Sequence, residues 1–381
     1  MKKIMILAAT AALVLSAACT KTEISSPNDE QHAIGFTNYA PKSITKAEDD
    51  YYVSTTSLVE SSKFGVYAYA IPQASGNFAA KYSTASPNFM NNVAVTFASA
   101  KNSTSSGLDG YSPTRYWPAG DTPDKLSFYA YYPVADGTGI TPSVSTGLGS
   151  FGFTVNATAA TQVDFLVSDV NPDLVYSGTT NGVVELQFHH MLTKVQFYFN
   201  TDKDDDDANT EIKITSATLS NVKTTGTLTP VYPSAWADAR WSGVAKEGTP
   251  KNFTVVSNLV LAEAKKTPAG TAYAATYPDV DNIYLMIPQT MLNTSGNEQT
   301  LTINYTVTTW NGTHTDGNKV SEVANVAAIK LVNVKDAGDN TINWSMNKVV
   351  TYTFTVGVHP VKFTATVDGW GAETNVTVPV E

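Results

Sequence analysis

Histidine residues are the first candidates for acid–base or metal chemistry in this sequence. The five histidines are scattered along the chain, at His32, His189, His190, His314 and His359. His189 and His190 are adjacent, and neighbouring side chains on a strand point to opposite faces, so this pair cannot bind one metal ion together. The pattern favours histidines that pack or form hydrogen bonds, and it predicts no metal site.

An acidic run, Asp204–Asp207 with Asp202 just before it, is the second candidate. Carboxylates at this density could hold Ca²⁺, but the run lacks the glycine and the spaced glutamate of a calcium loop. It lies between two strand patterns, which favours a solvated hairpin tip. Because the sequence has no Gly-x-Ser-x-Gly elbow, His-Glu-x-x-His motif or phosphate loop, we expect neither an enzyme nor a bound cofactor.

An aromatic segment from Tyr232 to Trp241 is the third candidate, and it contains Trp236 and Arg240. Tryptophan faces stack on sugars and fill pockets on partner proteins, so Trp236 and Trp241 are candidate ligand-binding residues. The alternative is a loop folded back on its own domain, with its rings packed inside. The sequence alone favours this alternative without excluding a binding surface.

The N-terminus contains a signal for covalent modification. A charged start and an apolar run, Ile4–Leu15, too short for a stable transmembrane anchor, lead into Ser16-Ala17-Ala18-Cys19. Small residues before a cysteine resemble a bacterial lipobox, although Ser16 stands where leucine is commoner. Cys19 is the only cysteine in 381 residues. We therefore expect residues 1–18 to be a signal peptide and the Cys19 thiol to carry a lipid, the alternative being an ordinary secretory signal with a chance cysteine.

Composition narrows the class of protein. Charged residues make up 15% of the chain, below the roughly 25% of ordinary globular proteins. The net charge of -10 gives no electrostatic reason to bind nucleic acid, and it excludes a basic patch as a membrane anchor. With a single cysteine there is no intrachain disulfide, so buried apolar cores must hold the fold.

Period-two alternation of apolar residues predicts that strands dominate the chain. The clearest alternating runs are 184–190, 195–199, 212–214, 253–255, 283–287, 301–307, 352–356 and 363–367, while 64–70 and 126–132 are apolar enough to be core strands. Apolar positions change parity between 184–190 and 195–199, which predicts a bend or bulge within 191–194. A short helical turn is expected at 324–331. Many short strands without a helical layer indicate an all-β protein made of β-sandwiches.

Six short motifs occur in an order that resembles a known family. They are FGVYAY at 64–69, YWP at 116–118, LSFYAYYP at 126–133, DFLV at 164–167, LQFHHMLTKV at 186–195 and LMIPQ at 285–289. Together they resemble the fimbrillin family of Bacteroidales, which includes the FimA-like and Mfa-like pilins. The resemblance covers most of residues 30–370 and implies two tandem transthyretin-like β-sandwich domains. With a boundary in the loop 171–182, these domains are 47–180 and 181–381.

The resemblance also implies a maturation route. Members of this family are exported as lipoproteins, cut by a trypsin-like protease after a basic residue behind the first strand, and polymerised by strand exchange. In this sequence the first strand is about Ala33 to Tyr39 and the cut falls between Lys46 and Ala47, so residues 19–46 form a lipidated tether and a removable first strand. Family members often have arginine where this chain has Lys46.

The C-terminal segment is a candidate donor strand for this exchange. Val376, Val378 and Val380 alternate with polar residues, so one apolar face could fill the groove of a neighbouring subunit. The alternative is that these residues form the last strand of their own domain.

Three function classes stay open. The first is a structural pilus subunit at the cell surface and outer membrane, which associates with other pilin subunits. The second is a tip adhesin that binds a host glycan or protein. The third is a surface lipoprotein or anchor that does not polymerise. A cleavage site at Lys46 favours the first two, because an anchor should keep its lipid.

Overall fold

A computed structural model describes residues 31–39, 63–96, 110–134, 138–179, 182–201, 209–233, 239–246, 251–261, 283–357 and 361–369. Across these ranges the chain forms strands with one short helix, which confirms the all-β prediction. The strands are β1 (Gly35–Tyr39), β2 (Lys63–Ile71), β3 (Met90–Thr96), β4 (Lys125–Tyr132), β5 (Ile140–Ser143), β6 (Ser150–Thr154), β7 (Leu166–Ser168), β8 (Asn171–Leu174), β9 (Val183–His190), β10 (Thr193–Asn200), β11 (Thr210–Ser220), β12 (Thr225–Thr229), β13 (Arg240–Ala245), β14 (Phe253–Val260), β15 (Ile283–Met286), β16 (Thr300–Trp310), β17 (Lys319–Lys330), β18 (Lys348–Thr355) and β19 (Lys362–Gly369).

The helical elements are short. Helix α1 (Phe78–Lys81) is a single turn, and 3₁₀ turns occupy Gln73–Ser75, Ala159–Thr161, Asp316–Asn318 and Leu331–Asn333. Within the described ranges, no helix has the length and apolar character needed to cross a bilayer.

The strands form four sheets. A seven-stranded sheet has the order β1-β9-β7-β4-β2-β3, with β8 also paired to β4. The three four-stranded sheets have the orders β13-β12-β6-β5, β15-β10-β18-β19 and β14-β11-β16-β17. Most pairs are antiparallel, but β1 with β9 and β10 with β18 are parallel.

The seven-stranded sheet packs against the sheet that contains β6, where the rings of Tyr131 and Phe151 lie 5.0 Å apart. Its interior strand β2, between β4 and β3, is buried on both faces, because Phe64 and Val66 point into one apolar cluster and Tyr67 into another. Burial on both faces explains why FGVYAYA reads as a continuous apolar run rather than a strict alternation.

The other two sheets pack face to face further along the chain. The ring of Tyr284 on β15 contacts Phe253 on β14 at 5.5 Å between centroids, across the space between the sheets. Phe197 and Phe354, on the parallel strands β10 and β18, stack within that core.

The predicted change of parity marks a change of sheet. Val184, Leu186 and Phe188 on β9 are buried in one cluster, and the alternate residues of β10 are buried in the other. The chain leaves the seven-stranded sheet at His190 and enters the β15-β10-β18-β19 sheet at Thr193. The residues between the two strands provide the bend that the opposite parities require.

Strand pairing does not divide the chain at 180/181, where the sequence predicts a domain boundary. Strand β9 (Val183–His190) pairs with β1 and β7, so it completes the first sheet. Strands β12 and β13, from residues 225–245, extend the sheet that begins with β5 and β6. The N-terminal pair of sheets therefore contains strands from both predicted domains, because alternation along a strand identifies its buried face but not its neighbour in the sheet.

The helical turn expected at 324–331 is wrong. Residues 324–330 belong to β17, which pairs with β16 along its length, with Leu301 opposite Ile329 and Ile303 opposite Ala327, and Leu331 begins the 3₁₀ turn Leu331–Asn333. Three alanines suggested a helix, but cross-strand packing against β16 overrides this weak preference.

A tyrosine cluster fills the face of the seven-stranded sheet that meets β6, and its members are Tyr67, Tyr69, Tyr129 and Tyr131. The hydroxyls of Tyr69 and Tyr129 donate hydrogen bonds of 2.5 Å to the carbonyl oxygens of Gly147 and Leu148. The acceptors lie in a turn where Gly149 has φ 64°, and a Cβ there would lie 2.6 Å from a backbone oxygen. Burial raises the pKa of all four phenols, so the hydroxyls stay protonated and can donate.

We expect this cluster to make the protein sensitive to alkali. Since the folded state raises the phenol pKa above the unfolded value of about 10, the cluster contributes its full stability below that pH and loses it as the pH rises toward the folded pKa. Replacing Tyr129 with Phe should reduce this loss, and should lower the free energy of unfolding by about 1 kcal/mol at neutral pH, because the carbonyl of Leu148 loses its donor.

Denaturant unfolding at neutral and alkaline pH measures both effects. The exposed Tyr116, changed to Phe, is the matched control and should behave as the unmodified protein does. Equal alkaline losses for Tyr129→Phe and the unmodified protein would contradict this account of the cluster.

Candidate functional site

The first strand, β1, lies at the edge of the seven-stranded sheet. It pairs in parallel with β9, from Gly35 opposite Val183 to Tyr39 opposite Gln187. The next strand along the chain, β2, is separated from β1 in the sheet by β9, β7 and β4. Because β1 shares no hairpin with its neighbour, residues 40–62 are its covalent link to all later strands.

Two side chains anchor this strand in an apolar groove. Ile34 is 0% exposed and Phe36 is 3% exposed. The ring of Phe36 lies edge-on to the rings of Phe64, Tyr111 and Phe128, with centroid distances of 6.2, 5.8 and 5.9 Å. Without these two side chains, the groove would expose the aromatic floor formed by β2 and β4.

Backbone groups clamp the start of β1 from both sides. On one side the N–H of Gly35 donates to the carbonyl of Gly182. On the other side lies the segment 111–117, which bonds to residues on either side of Ala33. The bonds on that side run from Ile34 N–H to the Arg115 carbonyl (2.9 Å), from Trp117 N–H to the His32 carbonyl (2.9 Å) and from the Tyr111 hydroxyl to the Ile34 carbonyl (2.8 Å).

Gly182 and Trp117 contact each other at the start of β1, where the two sets of hydrogen bonds meet. The indole N–H of Trp117 donates to the carbonyl of Gly182 at 2.9 Å, and Trp117 is 7% exposed. Gly182 has φ 75°, and a Cβ there would lie 2.9 Å from both the Ala33 carbonyl oxygen and the indole nitrogen. Glycine is therefore required here by conformation and by space.

Tyr111 holds the strand by its hydroxyl while its ring packs on Phe36. Burial raises the pKa of this phenol, so the hydroxyl remains a donor to the Ile34 carbonyl at neutral pH. Sequence reasoning missed the roles of Tyr111 and Gly182 and assigned no role to the YWP motif. The tryptophan in this segment, which is otherwise rich in Ser, Pro and Gly, was the one signal that the loop packs against another part of the protein.

The adjacent histidines contact two different aspartates. His189 Nε2 lies 3.1 Å from Asp169 Oδ2, and His190 Nδ1 lies 2.6 Å from Asp164 Oδ2. The two aspartates flank β7, so each histidine ties one end of that strand to β9. In the part of the chain that the structure describes, no cluster of three His, Cys, Asp or Glu residues could hold a metal ion.

Trp241 lies on strand β13 and is partly buried. Its indole N–H donates to the Met191 carbonyl at 3.0 Å, and its ring is edge-on to Phe153 and Phe165 at 6.1 and 6.3 Å. For this residue the geometry favours the packing alternative over a free ligand-binding face.

Several predicted site residues lie outside the described residues and stay predictions. They are the lipidation residue Cys19, the cleavage pair Lys46 and Ala47, the aromatic residue Trp236, the acidic run at 202–207 and the donor-strand residues Val376, Val378 and Val380.

Comparison with known proteins agrees with the architecture. A solved fimbrial protein from Bacteroides vulgatus is 20% identical, with 90% of this chain and 100% of that chain covered and a TM-score of 0.57, which supports the fold. A candidate cell adhesion protein from Bacteroides uniformis is 17% identical, with 91% and 100% covered, but its TM-score of 0.46 is too low to add support. The curated proteins include no match.

The family comparison covers most of the chain. The model of the family described as Fimbrillin-like matches residues 34–370, from the buried isoleucine of the β1 groove to just beyond β19. Membership in this family points to a non-enzymatic structural protein of the cell surface, of the kind that builds pili. The chain belongs to the fimbrillin-like family.

Proposed function

We propose that this protein is a structural subunit of a cell-surface pilus, exported as an outer-membrane lipoprotein, activated by proteolysis and polymerised by strand exchange. The observation that carries this proposal is the placement of β1. It is an edge strand whose Ile34 and Phe36 fill an apolar groove, and residues 40–62 are its covalent link to the rest of the sheet.

The energetics of β1 suit a strand that can be exchanged. Burial of Ile34 and Phe36 contributes about 3–6 kcal/mol together, and each clamp hydrogen bond adds about 0.5–1.5 kcal/mol. In the intact chain the linker also keeps β1 at a high effective concentration, on the order of millimolar. A cut in the linker removes this advantage, so β1 can leave and a donor strand from another subunit can compete for the groove.

Proteolysis between Lys46 and Ala47 would release two restraints at once. The cut separates the sandwich from β1 and also from the lipid proposed at Cys19, which precedes β1 in the chain. A single trypsin-like cleavage would therefore free the subunit from the membrane and open its groove. Before cleavage β1 occupies the groove, so the precursor stays monomeric with respect to strand exchange.

The C-terminal segment is the donor strand in this proposal. Val376, Val378 and Val380 repeat at intervals of two residues, the same spacing that places Ile34 and Phe36 in the groove. Inserting such a strand restores backbone pairing to β9 and covers the exposed aromatic floor. If the tail instead folds onto its own domain, the donor strand must come from elsewhere, or this subunit must be a terminal one.

Limited trypsin treatment should give a stable fragment that begins at Ala47 and assembles into oligomers. Because Lys42 offers a second cut in the same segment, the blocked variant is Lys42→Gln with Lys46→Gln, which should remain uncut there and form no strand-exchanged oligomers. Lys362→Gln, an exposed lysine on β19, is the control and should be cleaved and assembled normally. N-terminal sequencing and light scattering give the readouts. Equal polymerisation of the blocked variant and the cleaved protein would eliminate the mechanism.

Replacing Phe36 with Ala should lower the free energy of unfolding of the intact protein by about 3–5 kcal/mol, because it empties a packed aromatic site. After cleavage, the same change should accelerate departure of the β1 peptide, followed by fluorescence of a labelled N-terminal segment. Thr37→Ala, one residue along the strand and only partly buried, is the matched control. Identical release rates for Phe36→Ala and Thr37→Ala would show that the groove does not retain the strand.

Replacing Cys19 with Ala should abolish incorporation of labelled lipid, because the thiol that forms the thioether is absent. The precursor should then accumulate without maturation, as seen by its mass. Undiminished lipid labelling in this variant would rule out Cys19 as the modified residue.

A further inference from the structure

Strand β17 is a long sheet edge that no other strand covers in the part of the chain that the structure describes. It has 12 residues, more than any other described strand, and among the described strands it pairs with β16 alone. On an edge strand, half of the backbone N–H and C=O groups point away from the sheet and can pair with another strand. Soluble proteins usually block such edges with prolines, bulges, charges or short length.

Four of the other sheet edges, β3, β5, β13 and β14, are short or locally kinked. Strand β5 has four residues and contains Pro142, and β13 is interrupted by Gly243 at φ 58°. Asn258 on β14 and Asn92 on β3 also have positive φ, at 54° and 52°. In contrast, Ser321–Lys330 of β17 pairs with β16 in unbroken register and contains neither proline nor glycine.

The side chains of β17 are unusually apolar for a solvent-facing edge. Its valines at 320, 323 and 326 are 65%, 53% and 70% exposed. These are the three most exposed large apolar side chains among the described residues, and the next is Val260 at 46%. Such a concentration of exposed apolar residues on one edge indicates an interaction surface.

The outward face of β17 is complementary to itself. Ala327 and Ile329 pack inward, so the opposite face of the strand consists of Glu322, Ala324, Val326, Ala328 and Lys330. Read from either end, this series is a charge, alanine, valine, alanine and the opposite charge. In an antiparallel pair centred on Val326, valine faces valine, each Ala324 faces Ala328, and Glu322 faces Lys330 twice.

We propose that β17 pairs with β17 of a second copy of this chain, antiparallel and about a twofold axis at Val326. Each four-stranded β14-β11-β16-β17 sheet would then continue into its partner as one eight-stranded sheet. This interface is separate from the β1 groove, so it forms without cleavage or strand exchange.

The charged ends of β17 can accept such a partner. Glu322 already pairs with Lys319 at 2.8 Å, and Lys330 pairs with Glu298 at 3.0 Å. The Glu322 and Lys330 side chains are 49% and 47% exposed in these pairs. A carboxylate accepts several hydrogen bonds and an ammonium group donates three, so each can take a cross-strand partner as well.

Sedimentation equilibrium of the uncleaved protein, purified without protease treatment, tests the interface. We expect a concentration-dependent dimer that Val326→Lys weakens at least about tenfold, because it sets two ammonium groups against each other at the axis. Val260→Lys, on the opposite edge strand β14 of the same sheet, is the matched control and should leave the dimer unchanged. A protein that stays monomeric at all concentrations would overturn the proposal, as would equal weakening by Val260→Lys.

Charge exchange tests the register. Glu322→Lys and Lys330→Glu alone each create like-charge pairs across the axis and should weaken the dimer. The double variant Glu322→Lys/Lys330→Glu should restore it, because every cross-strand pair is again of opposite charge. The contacts with Lys319 and Glu298 are lost in the double variant too, so recovery can come only from the second copy. A double variant as weak as the single ones would exclude this register.

Discussion

The proposed assembly mechanism depends on how β1 packs in its groove. Ile34 and Phe36 are buried among Phe64, Tyr111 and Phe128, yet the strand that carries them is an edge strand in parallel with β9. A parallel edge strand has no hairpin to its neighbour, so side-chain burial and a few hydrogen bonds are what retain it. In the mechanism that we propose, these contacts are the ones that a donor strand must replace.

Most of the buried apolar side chains among the described residues lie outside the β1 groove. One apolar cluster extends from the tyrosines of β2 and β4, through Met191 and Trp241, to Tyr352 and Phe354 of β18. The groove belongs to a second, smaller cluster on the opposite face of the seven-stranded sheet. With no intrachain disulfide available, the larger cluster must hold the architecture if the smaller one is to accept a donor strand, as we propose.

The sequence could predict which faces are buried but not which strands are neighbours. Alternation in 184–190 and 195–199 correctly located the bend where the chain changes sheet. Nothing local indicated that β12 would extend β6, because pairing partners far apart in sequence leave no periodic signal. The same limit hid the role of Gly182 beside Trp117, and alanine-rich β17 was assigned to a helix because its partner β16 was unknown.

The N-terminal residue of this protein in filaments sheared from the cell surface tests the central claim most directly. If β1 is exchanged during assembly, the subunits should begin at Ala47 and contain no peptide from residues 31–39. Subunits that are found in filaments with Cys19 and β1 still attached would contradict the account, because their groove would already be filled.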